Sequence, residues 1–192
     1  MGRTRYNEVD RTFCAAIRFI SCGKCMITVI GIDPGLAATG IGVVSGKGMQ
    51  IDTFAYGAIS TSKDQLIVHR LDHIYTNIQE VLGKSRPALM VVEDVFSLAK
   101  YPKSGIILGK VSGVILLAGY RFNIPVMEIP VRMAKQILTG NGNSSKEQLE
   151  AAVRHRLNAF SPIRPFHASD ALGLAMIGLF RYAEKQTFRS LC

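Results

Sequence analysis

The chain has 192 residues, 48% hydrophobic and 19% charged, a balance that excludes a disordered chain and allows one domain to bury a core without disulfides. Lysine and arginine number 23 against 14 acids, a formal net charge of +9. The excess survives removal of the first 25 residues, so it belongs to the domain and points to nucleic acid or another anionic surface as partner.

Residues 1–25 (MGRTRYNEVDRTFCAAIRFISCGKC) have no sustained apolar stretch, and Glu8 and Asp10 argue against a signal or transit peptide. They read as an N-terminal extension, either disordered or upstream of a true start at Met26, with residues 26–192 as the folded domain. Four scattered cysteines and no secretion signal lead us to expect a reducing cytoplasm. Cys22 and Cys25 have CxxC spacing, but a structural zinc site needs a second pair and only Cys14 and Cys192 remain.

MITVIGI (26–32), TGIGVVS (39–45) and QIDTFAYGAIS (50–60) read as three strands with short links, which predicts an antiparallel meander. After a Ser/Asp start at 62–64, Ile67, Leu71, Ile74, Ile78 and Val81 recur at helical spacing. ALMVV (88–92) is a continuous apolar run, the mark of a buried central strand, and it ends in Glu93 and Asp94. A helix over about 104–121, a proline-bounded strand in IPVMEIP, and helices near 131–138, 145–158 and 168–184 complete the chain. The order βββαβαβ followed by helices predicts an α/β fold, a five-stranded mixed sheet flanked by helices. GIILGKVSGVILLAGY and ALGLAMIGLF fall short of the ~18 uninterrupted apolar residues of a bilayer span, so no membrane partner is expected.

Three carboxylates gain meaning together. Asp33 ends the first strand, Glu93 the fourth, and Asp170 opens the last helix with His167 three residues earlier on the same face. Each alone fits turn chemistry, a solvated strand end or a helix-dipole preference. Acids converging on one sheet edge raise each other's pKa values unless a cation lies between them, and hard divalent ions such as Mg²⁺ prefer such oxygen ligands. Asp94 should face away from Glu93 if strand alternation persists.

The blocks GIDPGLAATG (31–40), VVEDVF (91–96) and HASDALGLA (167–175), in this order and spacing, resemble the signature of RuvC-type Holliday junction resolvases. YPKSGIILGKVSGV (101–114) and MAKQILTGNGNSSKEQL (133–149) are similar to that family's intermediate segments. The resemblance covers about residues 26–185. It implies a ribonuclease H-like fold, a homodimer, four-way junction DNA as substrate, and cooperation with a branch-migration helicase complex of the RuvA–RuvB type. It also implies that Asp33, Glu93, His167 and Asp170 are catalytic metal ligands for two Mg²⁺ ions per subunit, with Mn²⁺ able to substitute, in a two-metal hydrolysis that leaves 5′-phosphate, ligatable nicks. Histidine stands at 167 where many relatives carry an acid. Imidazole must lose its proton to bind metal, so activity is expected to fall below about pH 6.5.

Lys135 and Lys146 match positions where the family places lysines near junction phosphates; Lys103 and Lys110, in the loop-to-helix segment, are further DNA-binding candidates. Phe96 matches a family aromatic that stacks on an unpaired base, and a buried loop anchor is its rival. Gly105, Gly109 and Gly113 leave one helical face bare, for packing against the sheet or a partner subunit. His69 and His73 have zinc-pair spacing but no evident third ligand, and TGNGNSSK departs from the P-loop pattern around Lys146. The rival functions are a ribonuclease H-like nuclease on structured RNA and a junction-binding protein with an inactive centre. The second is disfavoured because none of the three acids is missing.

Overall fold

The computed structural model describes residues 26–94 and 102–189, apart from the side chains of Pro102 and residues 183–189. The expectations placed on residues 1–25, on Phe96 and on the four cysteines lie outside the described residues.

Strands β1 (Ile27–Asp33), β2 (Ala38–Lys47) and β3 (Gln50–Ser60) form the expected meander. Helix α1 (Ile67–Ser85) follows, then β4 (Leu89–Asp94), α2 (Pro102–Arg121), β5 (Val126–Pro130), α3 (Val131–Thr139), α4 (Lys146–Arg156) and α5 (Phe166–Arg189). The sheet order is β3-β2-β1-β4-β5, with β4 parallel to both β1 and β5. This is the mixed five-stranded sheet of a ribonuclease H-like fold.

Both faces of the central strands are covered, which is why β1 and β4 are nearly continuous apolar runs. Ile30, Ile32, Met90 and Val92 pack under α1 and α2, while Val29, Leu89 and Val91 pack under α5 with α3 and α4 beside it. α1 begins five residues later than Ser62 suggested. Ser62 Oγ instead accepts from the Asp64 N–H, and its carbonyl from the Gln65 N–H, closing a turn before the helix.

α2 settles the question raised by its glycines. Val111, Ile115 and Ala118 are buried against the sheet, but a Cβ on Gly109 or Gly113 would meet nothing within 4 Å. The bare face therefore points away from the sheet. Residues 103–121 do form a helix long and apolar enough, by length and composition, to cross a bilayer, a point that the count of uninterrupted apolar residues missed. Val111, Ile115 and Ala118 pack its inner face against the sheet, and its outer face is open.

Candidate active site

Asp33 and Glu93 meet for a geometric reason. β1 and β4 are parallel and in register from Val29 opposite Leu89 to Ile32 opposite Val92, so the next residue on each strand, Asp33 and Glu93, stands beside the other at the strand ends. Alternation puts Asp33 on the face of Val29 and Glu93 on the face of Leu89 and Val91, the face that α5 covers. Asp94 follows Met90 and Val92 to the opposite face, as expected.

The helix carrying the other two groups is seated on missing side chains. A Cβ on Gly40 would stand 2.0 Å from the His167 carbonyl oxygen, one on Gly31 2.0 Å from that of Ala171, and one on Gly42 2.4 Å from the Leu172 nitrogen. Gly40 pairs with Asp33, and Gly42 with Gly31, across the β1–β2 ladder. The three form one bare patch on which the α5 backbone rests directly. The first turn of α5 therefore lies over the strand ends, bringing His167 Nδ1 to 2.5 Å from Asp33 Oδ2.

Burial makes the cluster electrostatically tense. Asp33 is 8% exposed. Desolvation, followed by the Asp33 carboxylate and Asp170, pushes the Glu93 carboxyl up to about 8. Desolvation and Asp33 push Asp170 up to about 6. His167 is raised above its ordinary value by its hydrogen bond to Asp33, with burial opposing. The Lys146 ammonium relieves both raised acids. Lys146 is the first residue of α4, whose start is fixed by a reciprocal cap: Ser145 Oγ accepts from the Gln148 N–H, and Gln148 Oε1 accepts from the Ser145 N–H.

Lys135 also lowers Asp170, but its ammonium donates to the Ser144 carbonyl at 2.6 Å. It thus ties α3 to the loop that enters α4 and steadies Lys146, a structural task the sequence did not reveal. Lys103 and Lys110 are exposed on α2, on the other face of the sheet.

The donor set fits a divalent cation. Asp170 Oδ1 is buried without a hydrogen-bond partner, a costly state that an ion would relieve. Among the described residues no group of three His, Cys, Asp or Glu side chains is already arranged to hold a metal. The His167–Asp33 hydrogen bond engages one of the two Asp33 carboxylate oxygens.

The glycine patch is the functional feature that sequence reasoning passed over. Its signal was present as glycines inside strands at 31, 40 and 42, a pattern that marks close backbone approach.

The family model for crossover junction endodeoxyribonuclease RuvC matches residues 29–178, a range that contains all four clustered side chains. The RuvC of Prosthecochloris aestuarii is similar at 34% identity over 151 residues, 79% of this chain and 80% of that one. The RuvC of Mannheimia succiniciproducens is 36% identical over 151 residues, 79% of this chain and 74% of that one. Among solved structures, T. thermophilus RuvC in complex with Holliday junction substrate is similar with a TM-score of 0.76 and 30% identity, covering 83% of this chain and 96% of that one.

Proposed function

Because the chain belongs to the RuvC family of crossover junction endodeoxyribonucleases, we propose that it resolves four-way DNA junctions by divalent-metal-dependent hydrolysis. The observation that carries the metal dependence is the buried, unpartnered Asp170 oxygen within a cluster where burial, and then neighbouring carboxylates, push Glu93 up to about 8 and Asp170 up to about 6. Such a cluster is costly unless a cation completes it.

Asp33, Glu93, His167 and Asp170 would hold the ions. When bound, a pair of Mg²⁺ ions, for which Mn²⁺ substitutes, supplies an activated water and charge stabilisation at the departing oxygen. The chain's own contribution is positional. The glycine seat fixes His167 and Asp170 over the strand ends, and rotation of His167 away from Asp33 frees a carboxylate oxygen. Lys146, at the rim, offsets the repulsion between these acids and a DNA phosphate. The water oxygen joins phosphorus as the P–O3′ bond breaks, leaving a 3′ hydroxyl and a 5′ phosphate that a ligase can rejoin.

Symmetric resolution needs two copies. What supports a homodimer is the outer face of α2, where Ile106, Leu117 and Tyr120 are exposed at 62%, 45% and 77% around the open glycines. Lys135, Lys146, Lys103 and Lys110 are the candidate phosphate contacts, and cooperation with a RuvA–RuvB type helicase complex belongs to the same reading. The test is cleavage of a mobile four-way junction beside a folded RNA, with and without divalent ion. Paired junction nicks dependent on Mg²⁺ or Mn²⁺ are expected; preferential RNA cleavage would refute the proposal.

A further inference from the structure

Two side chains in the segment leading into α5 have no part in the reading above. Phe160 is fully exposed, at 102%, and Arg164 is exposed and forms no ion pair among the described residues. Neither sits on a slack loop. Leu157 and Ile163 are buried anchors on either side of Phe160. The Ile163 N–H donates at 2.9 Å to Glu150 Oε1, a buried carboxylate that also accepts from Arg154 Nε. The Ala159 N–H donates to the Arg154 carbonyl, and Asn158 takes the left-handed conformation, φ 51°, that turns the chain out of α4. The fold thus presents a phenyl ring to water from a braced support, where nothing within the described residues covers it.

Arg164 is also held in place. Its guanidinium carbon lies 4.0 Å from the Phe166 ring centroid, and Nη1 donates to the Ile163 carbonyl. Phe166 directly precedes His167, and the Arg164 charge is felt at Glu147, next to Lys146 at the start of α4. A planar cation with free donors therefore stands beside the acid cluster on its α4–α5 side, and the same braced segment carries an uncovered aromatic ring four residues earlier. Guanidinium forks match phosphate oxygens, and a phenyl face accepts any base.

We propose that residues 157–166 form a further DNA-contacting element, in which Arg164 binds a phosphate neighbouring the scissile one and Phe160 stacks on a base left unpaired at the junction. The inference rests on the junction-nuclease reading and adds to it a contact for positioning the strand.

The test uses the full chain with Phe160→Ala, Phe160→Trp, Arg164→Ala and Arg164→Lys. Junction affinity is measured in EDTA across a salt series, nicking in Mg²⁺, and stacking by 2-aminopurine placed at the crossover. Phe160→Ala should weaken junction binding roughly tenfold, as expected for one lost base stack, and should abolish the 2-aminopurine quench, with Phe160→Trp restoring both. Arg164→Ala should reduce the slope of log affinity against log salt by about 1, with Arg164→Lys recovering the slope. Because both side chains are exposed, melting temperatures should not move. Wild-type affinity, quench and slope in the alanine variants would overturn the inference, as they would if Phe160 served a protein partner instead. A wild-type protein that binds and quenches but never nicks junctions would overturn the nuclease reading and leave the contact element standing.

Discussion

Glu93 and Asp170 keep their protons at pH values where ordinary carboxyls have lost them, because burial and the adjacent Asp33 disfavour further negative charge. The sign of the consequence is fixed by linkage. Carboxyls whose folded pKa lies above the unfolded one contribute stability that is whole below about pH 4 and is lost as pH rises through about 6 for Asp170 and about 8 for Glu93. His167, also raised, contributes in the same direction: its share is present below 6.5 and is lost above that value. The metal-free protein should therefore melt at a lower temperature at pH 8.5 than at pH 5.5, and Mg²⁺ or Mn²⁺ should restore more at pH 8.5. Thermal melts in EDTA and with added ion check this; a flat profile would contradict it. Glu93→Gln should raise the metal-free melting temperature at pH 8.5 by a few degrees, the shift that about 1–2 kcal/mol gives a chain of this size, while abolishing nicking. The His167–Asp33 hydrogen bond also revises the expectation drawn from the sequence. His167 holds its proton above 6.5, so the acid limb of the activity profile should lie above that pH and shift downward in His167→Asp.

At the scale of elements, the seat of α5 is the part of the site most sensitive to a single methyl group. Gly40→Ala puts a Cβ into the His167 carbonyl. Overpacking of this kind typically costs about 1–3 kcal/mol, and here it lifts the end of the helix that carries two of the four groups. Loss of nicking and of the Mg²⁺-induced rise in melting temperature is expected, measured by urea unfolding and by melts. Gly109→Ala is the contrasting case: its Cβ meets nothing, so the monomer should gain roughly 0.5–1 kcal/mol of helix stability, while a dimer built on that face should weaken. Leu117→Glu should convert the proposed dimer to monomer in light scattering, and an unchanged dimer mass would remove α2 from the interface. The strands carrying Asp33 and Glu93 were legible because apolar runs ending in acids have one plausible setting, and the i, i+3 spacing of His167 and Asp170 fixed their common face. The glycine patch was only half legible: glycines inside strands at 31, 40 and 42 signal close backbone approach, but which element approaches is set only when β1, β2 and α5 stack. Lys135 was obscured similarly: its bond to the Ser144 carbonyl depends on a loop whose path no periodicity encodes.

Across the whole molecule, the site is an acidic centre in a chain with a formal charge of +9, and that contrast divides the labour between binding and chemistry. In the proposed function, cations at the rim would hold the phosphate backbone while the acids would serve turnover and oppose binding, so junction binding should be strongly salt-dependent. Element order and the mixed sheet could both be read from the chain, since each rests on local pattern. The meeting of residues separated by up to 137 positions follows only from sheet order β3-β2-β1-β4-β5, which places β1 beside β4 and under α5. The most direct check of the central claim compares the wild type with Asp33→Asn on a mobile four-way junction, scoring binding in EDTA and nicking in Mg²⁺ with the ends sequenced. Wild type should make paired nicks bearing 5′ phosphates only when divalent ion is present, and Asp33→Asn should bind at least as tightly yet leave the junction intact. Nicking by Asp33→Asn at the wild-type rate, or wild-type nicking without any divalent ion, would contradict it.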